Sequence, residues 1–144
     1  MITAMNHVSF TVADLSRAVE FYENVLNLNC ISNASRSKEF SSAVTGIAGA
    51  EMNIAYMHAP NCNIELIEYT GGAGEALVTT TNQPGCTHVC FNITDYDKWL
   101  ERMSANGVRM SGELCVVPAG PNMGKRVCYM LDPDGNHLEF IEAV

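Results

Sequence analysis

Residues 6–12 alternate along the chain, with Val8, Phe10 and Val12 on one face and His7, Ser9 and Thr11 on the other. That is the period of a half-buried strand. The pattern then changes to a helical one over residues 15–26, where Leu15, Ala18, Val19, Tyr22 and Leu26 share a face. Asp14 stands where a helix cap is wanted, and Asn27 stands where the helix must stop, in a position that asks for left-handed backbone. A short strand is expected near residues 28–33, and the serine-rich stretch 35–42 carries no clear period. Residues 51–58 and 63–69 read as two strands joined by a turn over 59–62.

Residues 71–85 shift to Gly, Thr, Asn, Gln and Pro, the composition of a connection. After it the opening pattern starts again. His88 stands 81 residues after His7, and the same offset places Val89, Phe91, Ile93 and Asp95 on Val8, Phe10, Val12 and Asp14. The repeat predicts a strand over 86–93, Asp95 as a cap, a helix over 96–106 and Gly107 as its stop. Strands are expected at 108–117, 126–131 and 137–142, the last entered through the tight turn Asp132-Pro133-Asp134-Gly135. Each half is therefore β-α-β-β-β. One helix cannot cover both faces of such a sheet, so two halves, from one chain or two, must share a concave surface. The expected fold is α+β: a single domain over residues 1–144 in which modules 1–70 and 86–144, joined by linker 71–85, form a cupped mixed sheet.

Composition narrows the partners. The net charge is −8, and among the 8 basic residues only Lys125 and Arg126 are adjacent, so nucleic acid and anionic membranes are not expected. A small molecule is the expected partner; one or two local cations would suffice to hold an anionic group on it. No apolar run reaches the length of a membrane span, and the first residues read as a strand rather than as a signal peptide. A cytoplasmic protein is expected. The six cysteines contain no CxxC pair and read as reduced, packed thiols.

The chemistry lies on the polar strand faces. If the apolar positions pack on the helices, the opposite face presents His7 in the first strand and Glu65 in the fourth, then His88 and Glu139 at the matching places of the second half. Glu65 follows His7 by 58 residues and Glu139 follows His88 by 51. Alternating polar residues also occur on any sheet that simply faces water. Agreement of all four between the halves instead favours a divalent transition metal, with imidazoles for affinity and carboxylates for charge balance.

The segments HVSFTVADLSRAVEFYENVL, NIELIEY, THVCFNITD and YMLDPDGNHLEFIE together resemble the vicinal oxygen chelate superfamily, which includes glyoxalase I, methylmalonyl-CoA epimerase, extradiol dioxygenases and fosfomycin resistance proteins. The resemblance covers nearly the whole chain, with Asn27 standing where the family usually has glycine. It implies metal ligands at His7, Glu65, His88 and Glu139, one divalent ion (Zn, Ni, Co, Mn or Fe) per site, and a homodimer. Glutamate at position 65 looks most like glyoxalase I and the epimerases of sugar-derived hydroxyketones. The implied activity is a metal-dependent isomerase, lyase or epimerase acting on an α-hydroxycarbonyl or hemithioacetal through an enediolate. Glu139 would be the ligand that loosens to act as base, with Glu65 as its counterpart. An extradiol-type iron dioxygenase and a non-catalytic drug-binding protein are the alternatives.

Other residues carry weaker signals. His137, two positions before Glu139, is expected at an exposed strand end, with a place beside the site as the alternative. His58 is expected at the surface. Tyr56 and Tyr69 read as strand packing rather than as site residues. Residues 119–125 form either a plain hairpin connection or a lid.

Overall fold

A computed structural model describes residues 1–143, and the chain divides into two compact units whose boundary falls between Leu77 and Val78. The first unit holds β1 (His7–Thr11), α1 (Leu15–Glu20), β2 (Asn29–Arg36), α2 (Lys38–Thr45), β3 (Glu51–Ala59) and β4 (Cys62–Gly71). Its sheet has the order β1-β4-β3-β2, with β1 parallel to β4 and the other pairs antiparallel. The second unit holds β5 (His88–Ile93), α3 (Tyr96–Ala105), β6 (Cys115–Val116), β7 (Arg126–Leu131) and β8 (His137–Glu142). Its order, β5-β8-β7-β6, is the same arrangement, again with the first and last strands parallel.

The apolar strand faces are buried as the alternation requires. Phe10 lies beside Leu66 and both are buried, as are Ile64 and Val12. Leu15, Ala18 and Tyr22 of the first helical segment are buried too. In the second unit Phe140 is buried and lies beside Phe91 in register, their rings stacked 5.5 Å apart; Trp99 of α3 approaches Phe140 to 4.3 Å. These inner faces account for most of the favourable burial, at roughly 1.5–3 kcal/mol for each large side chain.

Four local differences from the sequence reading have physical reasons. The first helix widens after Glu20 into a π-helical turn over Phe21–Val25, with the Leu26 amide donating to the Phe21 carbonyl and the Leu28 amide to that of Tyr22. Asn27, at φ 60°, reverses the chain there in the left-handed conformation expected of it. The serine-rich stretch supplies α2, capped by the Ser37 hydroxyl, which accepts from the Phe40 amide. Asp14 caps α1 by accepting from the Arg17 amide, but Asp95 does not cap α3: it is itself left-handed at φ 48° and its side chain makes no cap bond. The expected strand 108–117 is reduced to a bridge between Met110 and Met130 and the two-residue β6. Gly112 interrupts the run, and its flanking positions are exposed.

The turn before β8 forms as expected. Asp132 Oδ1 accepts from the amides of Asp134 and Asn136, and Gly135 takes the left-handed conformation at φ 88°. All six cysteines are free thiols; Cys128 is buried, whereas Cys90 and Cys115 are exposed. Among the described residues, no helix is long and apolar enough to cross a membrane.

Candidate metal centre

Strand register explains how His7 and Glu65 meet. In the parallel pair β1 and β4, Ser9 lies opposite Glu65 and His7 opposite Asn63, so His7 and Glu65 share a face one pleat apart. Nε2 of His7 stands 3.4 Å from Oε2 of Glu65. In the second unit Cys90 lies opposite Glu139 and His88 opposite His137, and Nε2 of His88 stands 3.0 Å from Oε2 of Glu139. The same residue types meet through the same register in both units. The carboxylates are the more enclosed partners, with side chains 10% and 16% exposed against 33% and 39% for the histidines.

These separations fit the donor set of a metal. Two donors each about 2.1 Å from a cation stand roughly 3.0 Å apart at a right angle and roughly 3.4 Å apart at a tetrahedral angle. The orientation of His7 also suits a ligand. Its Nδ1 lies 2.7 Å from Oδ1 of Asn6, an acceptor that suits a proton on Nδ1, and Nε2 is the ring atom that faces Glu65. Among the described residues no group of three or more His, Cys, Asp and Glu side chains is gathered as a cation site, so each pair offers two donors.

Each pair has a tyrosine attached, which the sequence reading did not place at the site. Tyr56 on β3 lies directly opposite Glu65, donates its hydroxyl to Oε1 of Glu65, and sets its ring edge-on to His7 at 5.6 Å. The bond to Glu65, then desolvation, pushes the Tyr56 phenol above its ordinary value. Tyr129 on β7 lies opposite Glu139, with its hydroxyl 3.3 Å from Nε2 of His88 and its ring edge-on to that imidazole at 5.1 Å. Desolvation, followed by the charge and hydrogen bond of Glu139, raises the Tyr129 phenol. Cys90 is beside the same carboxylate, and desolvation together with Glu139 pushes its thiol up to about 12. It is a neutral thiol near neutral pH, not a nucleophilic thiolate.

The remaining candidates separate clearly. His137 is not at an exposed strand end; it is 5% exposed because Thr79 covers it, with Nε2 lying 3.0 Å from the Thr79 carbonyl. His58 is exposed as expected, its Nδ1 3.2 Å from Oδ1 of Asn63. In the 119–125 loop, Lys125 donates to the Asn122 side chain and Met123 is 68% exposed.

Over residues 4–140 the chain matches the Glyoxalase/Bleomycin resistance protein/Dioxygenase superfamily. The chain belongs to this superfamily. It is 29% identical to a 2-epi-5-epi-valiolone epimerase of an Actinomyces species, over 96% of this chain and 78% of that protein. It is 26% identical to a lactoylglutathione lyase of Salmonella typhimurium, over 95% of this chain and 90% of that enzyme. A solved glyoxalase family protein from Bacillus cereus superposes with a TM-score of 0.83 at 27% identity, covering 99% of this chain and 95% of the other. The paired βαβββ topology is therefore the fold of a superfamily that includes enzymes of more than one reaction type.

Proposed function

We propose that the chain is a divalent-metal-dependent isomerase, lyase or epimerase acting on an α-hydroxycarbonyl or hemithioacetal small molecule. The observation that carries this reading is the pair of equivalent His–Glu contacts, at 3.4 Å and 3.0 Å, whose spacing suits two donors on one cation. Similarity to an epimerase and to a lactoylglutathione lyase supports the same chemical class. His7, Glu65, His88 and Glu139 are the proposed ligands. When bound, a divalent cation supplies Lewis acidity that makes the proton beside a carbonyl removable at neutral pH.

The residues of the chain do the rest. His7 and His88 supply imidazole nitrogens, and Glu65 supplies a carboxylate placed between Tyr56 and His7. Glu139 takes the proton from the carbon next to the carbonyl. A proton delivered to the opposite face by Glu65, the counterpart of Glu139, gives epimerisation, and one delivered to the adjacent carbon gives isomerisation. The family and the chain's length support a homodimer, and we place it in the cytoplasm.

Deuterium exchange tests the proposal. Incubated in deuterated buffer with Zn(II) or Mn(II), the protein should exchange the carbon-bound proton of a hydroxyketone, and chelator should abolish the exchange. Dioxygen uptake with a catechol in place of exchange would transfer the chain to the oxygenase class. Tight ligand binding with no metal dependence would make it a sequestering protein.

A further inference from the structure

The basic residues of this acidic chain are not equally available. Arg126 is taken by Glu142 and Asp97, and Lys125 by the Asn122 side chain of its own loop. Lys38, Lys98 and Arg109 are simply exposed. Arg36, the last residue of the edge strand β2, is half-buried and meets no acid among the described residues. Its hydrogen bonds are made by Nη1 alone, to the carbonyls of Ala34 at 3.4 Å and Ser35 at 3.2 Å. Among the described residues Nη2 and Nε bond to nothing, and together they form the guanidinium edge that takes a carboxylate or a phosphate through two parallel bonds.

Those same bonds fix where the group lies. To meet the Ala34 carbonyl the side chain turns back along β2, away from the end of the strand. Ser32 lies opposite Tyr56, and the register runs unbroken from Ser32 to Arg36, so Arg36 shares the face that carries Tyr56, Glu65 and His7. The guanidinium thus stands about one pleat, roughly 7 Å along the strand, from the row of Tyr56 and Glu65. Its charge is felt there. The bond to Glu65, then desolvation, raises the Tyr56 phenol, and Arg36 acts against both. Ser32 and Ala34, which lie between, are exposed, so a small molecule can reach from the His7–Glu65 pair past Tyr56 to Arg36.

We propose that Arg36 binds an anionic group of the substrate, a phosphate or a carboxylate carried a few bonds away from the α-hydroxycarbonyl, and so selects charged over neutral hydroxycarbonyl compounds. This rests on the proposed metal-dependent reaction and deepens it by naming the substrate class. With a net charge of −8 the protein repels anions at range, so a negatively charged substrate needs a local cation to hold it. Arg36 stands apart from the proposed metal ligands and acts through binding and orientation.

The test titrates inorganic phosphate and acetate separately into the metal-free full chain by calorimetry, comparing the unsubstituted protein with Arg36→Gln and Arg36→Lys. The first variant removes the charge at a side chain bonded only to its own strand; the second keeps the charge and loses the fork. A charge-assisted contact of this kind changes affinity by about ten- to a hundredfold. One of the two anions should therefore bind the unsubstituted protein at least about tenfold more tightly than Arg36→Gln, with Arg36→Lys between them, and the tighter anion identifies the group. That anion should also inhibit deuterium exchange from dihydroxyacetone more weakly in Arg36→Gln by the same factor. Binding of neither anion, or binding that Arg36→Gln leaves unchanged, would overturn the proposal while leaving the metal-dependent reaction standing. Arg36-dependent anion binding in a protein that exchanges no proton with Zn(II) or Mn(II) would sustain the anion site and overturn the reaction.

Discussion

The two units use one topology with unequal investment in its parts. Unit Met1–Leu77 has an eight-residue β2 and an additional helix, α2, where unit Val78–Val144 has only the two-residue β6 and irregular chain. In the first unit Asp14 caps its helix; in the second Asp95 occupies the matching place and does not. Yet the His–Glu–Tyr cluster is reproduced in both, through identical register. Periphery and capping diverge between the halves while the polar face stays the same, a contrast that the proposed metal-binding role of the clusters would explain.

Substituting the glutamates tests that contrast most severely. Glu139→Gln should lower turnover by about 10²–10⁴-fold with metal still bound, the loss expected for a missing proton-transfer group. Glu65→Gln should act mainly through lower metal occupancy, so added metal should recover part of its rate. Indistinguishable kinetics and metal content in the two variants would remove the distinction between them.

The cores give the next largest effect. Phe140 packs between Phe91 and Trp99, and Phe140→Ala should cost about 3–5 kcal/mol in denaturant unfolding. Its counterpart in register, Leu66→Ala beside Phe10, should cost about 2–5 kcal/mol. A loss below 1 kcal/mol at either position would contradict the buried packing described for that unit.

Capping should separate the halves more finely. Asp14→Ala should cost about 1 kcal/mol because the Arg17 amide loses its acceptor, and Asp95→Ala should cost less because no cap bond is lost. Thermal midpoints of the two variants would reveal an error in either assignment.

The smallest effect is a pH dependence of the second unit. Arg126 donates to Glu142 and Asp97 and lies over the Tyr96 ring. The Arg126 hydrogen bond holds Glu142 below the ordinary glutamate range. A carboxylate whose folded value lies below its unfolded one contributes stability above the unfolded value and loses it as pH falls through the folded value. Acidification below about pH 4 should therefore destabilise the unsubstituted protein more than Glu142→Gln.

Much of this was legible because strand period and repeat are properties of the sequence itself. The match of His7 with His88 and of Glu65 with Glu139 placed the candidate donors without coordinates. Tyr56 and Tyr129 escaped because an aromatic residue in a strand reads equally well as packing. A signal existed: Tyr56 precedes Glu65 by nine residues and Tyr129 precedes Glu139 by ten, across a turn of different length in each half. His137 was misjudged because its cover comes from Thr79, a residue of the connecting stretch with no pattern to announce the contact. Asp95 failed as a cap through its own backbone conformation, which residue type alone does not specify.

The central claim is that the His–Glu pairs bind a divalent metal. Zinc content after equilibrium dialysis tests it most directly, comparing the unsubstituted protein with His7→Ala and His88→Ala. The account predicts that the unsubstituted protein retains zinc, with a large loss of affinity in either variant. Full zinc retention in either variant would contradict it.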